Sequence, residues 1–257
     1  MKIISLNTWG GKVDKGFFDF IKRHQDVDVF CFQEVLSGGK GKTKREELKS
    51  EYEDIQNLLT NHIGYFSEYE DGGYYSESSK DLDFRYGIAC FINGKYRQTF
   101  VEGITLYDPK RKWSDYDGRF AAGASLAVRV SDYAIVNVHG LWQAIGKKDS
   151  EARFEQSRKI VELANKTEGE KIICGDFNLE PETKSIKMIE ELPATNLIKE
   201  YKIVSTRSSL YTKDVKFADY AFIGNKTNVL DFEVLKDEVS DHLPLYLEIE
   251  GKSAIKV

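Results

Sequence analysis

The stretch Lys171–Pro181, KIICGDFNLEP, decides how the rest of the chain is read. Ile172, Ile173 and Cys174 form a short apolar run that opens abruptly onto Gly175, Asp176, Phe177 and Asn178. A short apolar run bounded by turn residues reads as a strand covered on both faces. A carboxylate at the end of such a strand costs several kcal/mol unless something pairs with it. Gly175 lets the backbone turn sharply, so Asp176 and Asn178 fall on the same side of the bend. The reading is a buried strand that delivers polar groups to a site.

Outward from this stretch, other apolar runs end in the same way. KIISLNTW meets Asn7, VDVFCFQEV meets Gln33 and Glu34, and YAIVNVHGL meets His139. FADYAF carries Asp219, and VSDHLPL carries Asp241 and His242. Strand ends of α/β sheets are where sites assemble, because the scaffold is rigid and the loops are open there. Oxygen donors with two imidazoles suit Mg²⁺ or Mn²⁺, and the thiolates of a structural zinc site are missing from the set. Taken singly, Glu34 is a solvated edge residue, Asn7 a turn former, His139 a hydrogen-bonded core histidine and Asp219 a partner for a core arginine. The ordered set is what points to a site.

The remaining pattern is α/β. DKGFFDFIKRHQ has helical spacing with Phe17, Phe20 and Ile21 on one face, and KREELKSEYEDIQNLLTNH predicts a helix with Tyr52, Ile55 and Leu59 inward. KDSEARFEQSRKIVELANKT predicts a helix that buries Phe154, Ile160, Val161 and Ala164, and ETKSIKMIEEL a shorter one. YGIACFIN, YRQTFVEGITLY, AAGASLAVRV, VLDFEVLKD and LPLYLEIEG read as strands separated by polar turns. Strands that alternate with helices yet also form hairpins predict mixed sheets. No repeat, low-complexity tract or linker divides the 257 residues, so one domain over 1–257 is expected.

With 37 basic and 42 acidic residues the net charge is −5, which argues against binding through a broad basic surface but not against a polyanion held locally. Cys31, Cys90 and Cys174 all lie in apolar runs and read as reduced core thiols. The N-terminus lacks the apolar stretch of a signal peptide, and nothing approaches a membrane span. A cytoplasmic monomer is expected.

Asn7, the QE of Gln33–Glu34, the HG at His139, the GDFN of Gly175–Asn178, the DYAF at Asp219 and the SDHLP of Ser240–Pro244 resemble the endonuclease/exonuclease/phosphatase superfamily, which includes deoxyribonuclease-like and exonuclease III-like metal-dependent phosphohydrolases. The resemblance runs from residue 7 to 244 with the motifs in family order. It implies a four-layer α/β sandwich, two mixed β-sheets packed face to face with helices on the outside. It implies a Mg²⁺-dependent hydrolase of phosphodiesters, with nucleic acid or nucleotides ahead of sphingomyelin-type lipids or inositol phosphates. A non-catalytic binding module of the same fold would show gaps among the polar strand ends.

Carried over by position, Glu34 is implied as the main Mg²⁺ ligand, with Asn7 beside it. Asp176 and Asn178 lie opposite, within reach of metal, water and phosphoryl oxygens. His242 contacts the scissile phosphate, and Asp241 next to it joins the metal-binding set and fixes a histidine tautomer. Asp219 orients a histidine, and His139 stands near the leaving-group oxygen. Either His242 or Asp176 could be the base. One departure is visible: the glutamate that supports a catalytic histidine in deoxyribonuclease-like members is replaced by Phe84 before Arg85, which leaves Asp81, Asp83 or no residue for that task. Arg119 resembles a phosphate-gripping arginine and reads equally as a surface residue. Trp142, with Lys147, Lys148 and Arg153 beyond it, reads either as a base-stacking, backbone-gripping patch or as a helix entrance with snorkelling charges. The loop SGGKGKTKREE is expected to be solvated.

Overall fold

The structure is a computed structural model and describes residues 1–69, 83–106, 120–121 and 123–251. The first half of the chain forms β1 (Lys2–Asn7), α1 (Asp14–Arg23), β2 (Val29–Ser37), α2 (Glu51–Leu58), β3 (His62–Glu68), β4 (Arg85–Asn93) and β5 (Gln98–Thr105). Next come β6 (Phe120–Ala121), β7 (Ala124–Val130), β8 (Tyr133–His139), β9 (Trp142–Gln143), α3 (Glu151–Lys166) and β10 (Glu170–Asp176). The last elements are α4 (Lys184–Glu190), β11 (Ala194–Asn196), α5 (Leu197–Glu200), β12 (Asp219–Gly224), β13 (Val229–Val234) and β14 (Leu245–Ile249).

Two six-stranded sheets result, in the orders β13-β14-β1-β2-β4-β3 and β11-β12-β10-β8-β7-β5. Each is mixed. β1 and β2 run parallel in the first, β8 and β10 in the second, among antiparallel neighbours. Side-chain alternation sorts the faces. In β1 and β2, Ile4, Leu6, Phe30 and Phe32 pack with Phe17, Phe20 and Ile21 of α1, while Ile3, Val29 and Cys31 join the core that includes the second sheet. α3 presses Ile160, Leu163 and Ala164 onto that same core. This is the α/β sandwich the motifs implied.

Two local expectations need correction. The long helix over residues 44–62 is only α2. Upstream, Thr43 accepts at its hydroxyl from the backbone N–H of Arg45 and Glu47 and donates to the Glu47 carboxylate. These local bonds offer the backbone an alternative to helix, and Lys42 bridges back to Leu48. Downstream, Gln56 closes α2 by donating to the Leu59 and His62 carbonyls and accepting from Gly64 N–H, so the chain turns into β3. On α3, Phe154 is only half-buried, and Arg153, Gln156 and Ser157 occupy the inner face instead.

Candidate active site

Strand register aligns the reacting groups before any side chain turns. In the second sheet His139 of β8 stands beside Asp176 of β10, which stands beside Asp219 of β12. Gly175 makes this row possible. Its φ is +139°, and a Cβ there would lie 2.0 Å from the Val138 carbonyl oxygen. Asn178, at φ +52°, donates its N–H to Asp176 Oδ1 at 2.8 Å and its amide to the Gly140 carbonyl, which locks the GDFN bend.

The first sheet supplies the opposite wall through a β-bulge. Between Phe32 and Val35 of β2, two residues oppose the single Ile88 of β4. Gln33 then points inward and donates to Asn137 Oδ1 of the facing sheet at 2.7 Å, while Glu34, at φ +60°, swings toward the second sheet. Asn7 bridges the two walls, donating to Glu34 Oε1 at 3.0 Å and Asp176 Oδ2 at 3.1 Å. Its Oδ1 accepts from Trp9 N–H, and its amide nitrogen spaces the two acids.

Ligand atoms of Glu34, His139 and Asp176 lie within 4.8 Å of one another, as do those of Asp176, Asp219 and His242. Two carboxylates this close repel unless cationic charge lies between or beside them. With oxygen donors, imidazoles and no sulfur, the set fits a hard divalent cation. Burial opposes the charge on Asp176, but His242, Lys147, His139 and Arg207 outweigh it and hold the carboxyl below its usual range. The buried carboxylate read from KIICGDFN therefore faces imidazoles, an ammonium and a guanidinium.

His242 is oriented by Asp219, whose carboxylate lies 2.8 Å from Nδ1, leaving Nε2 3.6 Å from Asp176 Oδ2. Burial and Arg207 disfavour its charge, yet Asp219, Asp176 and Asp241 prevail and raise its pKa. Asp241 does not fix the His242 tautomer as expected. It bonds Arg207 instead, with Arg207 Nη1 3.4 Å from Oδ2, because Asp219 already occupies Nδ1. Burial, together with Glu34 and Asp176, pushes the Asp241 carboxyl up. Thr206 donates to the other side of Asp219 at 2.7 Å.

Tyr69 replaces the missing glutamate. Its hydroxyl lies 2.5 Å from His139 Nδ1 and accepts from Glu34 N–H at 3.3 Å. Burial raises the phenol well above its ordinary value, so the hydroxyl keeps its proton, and donation of that proton to Nδ1 corresponds to one tautomer of His139. That tautomer places the imidazole N–H on Nε2, 3.6 Å from Glu34 Oε1 and 3.9 Å from Asp176 Oδ2. Asp83 bonds Lys49 at the surface and takes no part, while Asp81 and Arg119 lie outside the described residues.

A cavity of about 330 Å³ opens from Glu34, Asp176 and His242. Trp142 lines it, with the Lys213 ammonium 6.0 Å from its ring. Arg153 and Lys148 do not reach it as a phosphate grip. Arg153 is buried and donates to the Lys148 and Leu141 carbonyls, and Lys148 is exposed. The loop expected to be solvated returns Arg45 and Glu47 to the cavity wall. Arg207, Tyr211 and Lys213 also line it, and nothing in their polar stretch of sequence signals this. Beneath Glu34, the Glu51 carboxyl is wholly buried. It accepts from Leu36 N–H at 3.4 Å, and burial pushes it up to about 8.

The profile of the endonuclease/exonuclease/phosphatase family matches residues 4–242. The chain belongs to that family. Among solved structures, the family member from Beutenbergia cavernae superposes with a TM-score of 0.70 at 15% identity, over 99% of this chain and 72% of that one. The human Nocturnin catalytic domain gives 0.69 at 18%, over 97% and 93%. The mannosyl-6-phosphatase Bt3783 of Bacteroides thetaiotaomicron gives 0.66 at 17%, over 98% and 100%. At these identities the likeness is one of fold. No curated protein sequence gives a significant match. Family members are phosphoester hydrolases and generally need a metal. No helix among the described residues is long and apolar enough to cross a membrane.

Proposed function

We propose that the whole chain acts as one Mg²⁺- or Mn²⁺-dependent phosphodiesterase, with nucleic acid or nucleotides as substrate. The observation that carries this reading is the clustering of Glu34, His139, Asp176, Asp219 and His242 from two sheets, with Glu34, Asp176 and His242 lining one cavity. Glu34 and Asp176 would hold the cation, with Asn178 and Asp241 at its margin. When bound, it supplies neutralisation of the non-bridging phosphate oxygens, which lowers the barrier to attack by water.

The chain's own groups divide the remaining work. Asp176, kept ionised by its cationic neighbours, is the acceptor for the proton of the attacking water. His242, held by Asp219 and biased toward its charged form, donates from Nε2 to a phosphoryl oxygen. His139, with its hydrogen on Nε2, donates toward the leaving oxygen. Trp142 offers a ring for a base to stack on. Three buried, unpaired thiols suit a reducing cytoplasm.

The test is hydrolysis of bis-(p-nitrophenyl) phosphate with Mg²⁺ or Mn²⁺, then a panel of plasmid DNA, abasic duplex, RNA, sphingomyelin, inositol phosphates and sugar phosphates. The expected result is metal-dependent turnover of the diester, abolished by EDTA. Folded protein that turns over no phosphoester with any divalent ion defeats the proposal.

A further inference from the structure

Lys147 is a buried cation whose ammonium feels Asp176 but makes no hydrogen bond among the described residues. It lies in the connection between β9 and α3, only 7% exposed. Burying an unpaired ammonium costs several kcal/mol, so a fold that keeps one there has a use for it or a ligand to meet it. Its anchorage is firm, since the Lys147 carbonyl accepts from Glu180 N–H at 2.9 Å, just past the GDFN bend. The side chain lines the same cavity as Asp176 and His242.

A second cation stands on that wall. The Arg207 guanidinium stacks on the Tyr211 ring at 4.0 Å and spends Nη1 on Asp241, yet its buried Nε–H has no partner among the described residues. A guanidinium fixed by an aromatic face and a carboxylate, with one N–H left unpaired, is preorganised for an oxyanion.

We propose that Lys147 Nζ and Arg207 Nε–H form the cradle for the scissile phosphate, gripping its non-bridging oxygens. This rests on the phosphoesterase reading and adds two substrate-binding residues to it. The pair recognises a tetrahedral oxyanion, so inorganic phosphate, the simplest such ligand, reports on it directly. A substrate with only one phosphate separates the scissile group from any neighbouring phosphate.

The experiment compares wild type, Lys147→Met and Lys147→Arg by calorimetry with inorganic phosphate on the Mg²⁺-loaded protein, with Mg²⁺ alone, and by turnover of bis-(p-nitrophenyl) phosphate. Met keeps the buried stem and removes the charge, so thermal unfolding at or above the wild-type midpoint certifies its fold. The expected result is phosphate affinity weakened at least about tenfold in Lys147→Met, with part regained in Lys147→Arg and a Mg²⁺ isotherm within about twofold of wild type. A raised KM for the single-phosphate substrate identifies the scissile group. Equal phosphate binding by Lys147→Met and wild type overturns the cradle, as does no phosphate binding by wild type at 10-millimolar order (about 10 mM, the range of weak single-anion contacts). Lys147-dependent phosphate binding without turnover of any phosphoester upholds the cradle while removing the hydrolase reading.

Discussion

Glu51→Gln isolates a cost that the fold carries beneath the site. Glu51 opens α2 with no exposed surface, and its Oε1 has no hydrogen-bond partner among the described residues. Burial, with Glu34 and Glu47 nearby, raises the carboxyl from 4.5 to about 8. A folded-state pKa above the unfolded one means that the folded chain holds the proton longer. Between pH 4.5 and 8 the unfolded state therefore binds fewer protons, and stability falls as pH rises. Each pH unit in that window removes about 1.4 kcal/mol, so the full loss approaches about 5 kcal/mol at pH 8 as an upper limit. Gln keeps the shape and the acceptor for Leu36 N–H but has no proton to lose. Urea unfolding in EDTA at pH 5, 6, 7 and 8 should show the variant gaining on wild type with each step, from near parity at pH 5 to several kcal/mol at pH 8. Parallel curves across that range would refute the reasoning.

Other perturbations probe the site itself. Glu34→Ala should weaken Mg²⁺ binding by calorimetry at least tenfold (about 1.4 kcal/mol or more, the worth of one ligand to a hard cation), and an unchanged isotherm removes Glu34 from the metal set. His242→Ala should lower turnover at least about a hundredfold with KM little changed; near-normal turnover ends that assignment. Tyr69→Phe removes the donor to His139 Nδ1 and should release the ring to its other tautomer, read as a changed ¹⁵N pattern of the His139 imidazole by NMR. An unaltered pattern would mean that Tyr69 does not set the tautomer.

The parts of this molecule that could be read in the sequence are those governed by strand ends. Asn7, Glu34, His139 and Asp176 each follow an apolar run and Asp219 and His242 each precede one, and the sandwich brings these ends together because the runs are buried. The α1 stripe of Phe17, Phe20 and Ile21 was likewise legible, since helical periodicity and burial agree there. What escaped the sequence depends on contacts between distant segments. Tyr69 follows a half-exposed edge strand whose pattern says little, and its bond to His139 spans 70 residues. Asp219 and Asp241 both neighbour His242 closely enough to orient it, and only the pairing of β10 with β12 decides for Asp219. Arg207 sits in a connection without periodicity, so composition alone could not assign it to a wall of the cavity, whereas Lys147 reads in the sequence, with Trp142, as either a grip or a snorkelling charge.

His139, Asp176 and Asp219 stand abreast on three hydrogen-bonded strands, so their mutual spacing is set by backbone ladders that are indifferent to side-chain identity. Lys147, Arg207 and Tyr211 hang on connections outside those ladders. Grafting connections of other lengths would retune what the cavity admits while leaving the three groups where they are. Sliding β10 by a single residue would turn Asp176 to the opposite face and undo every one of those relationships together.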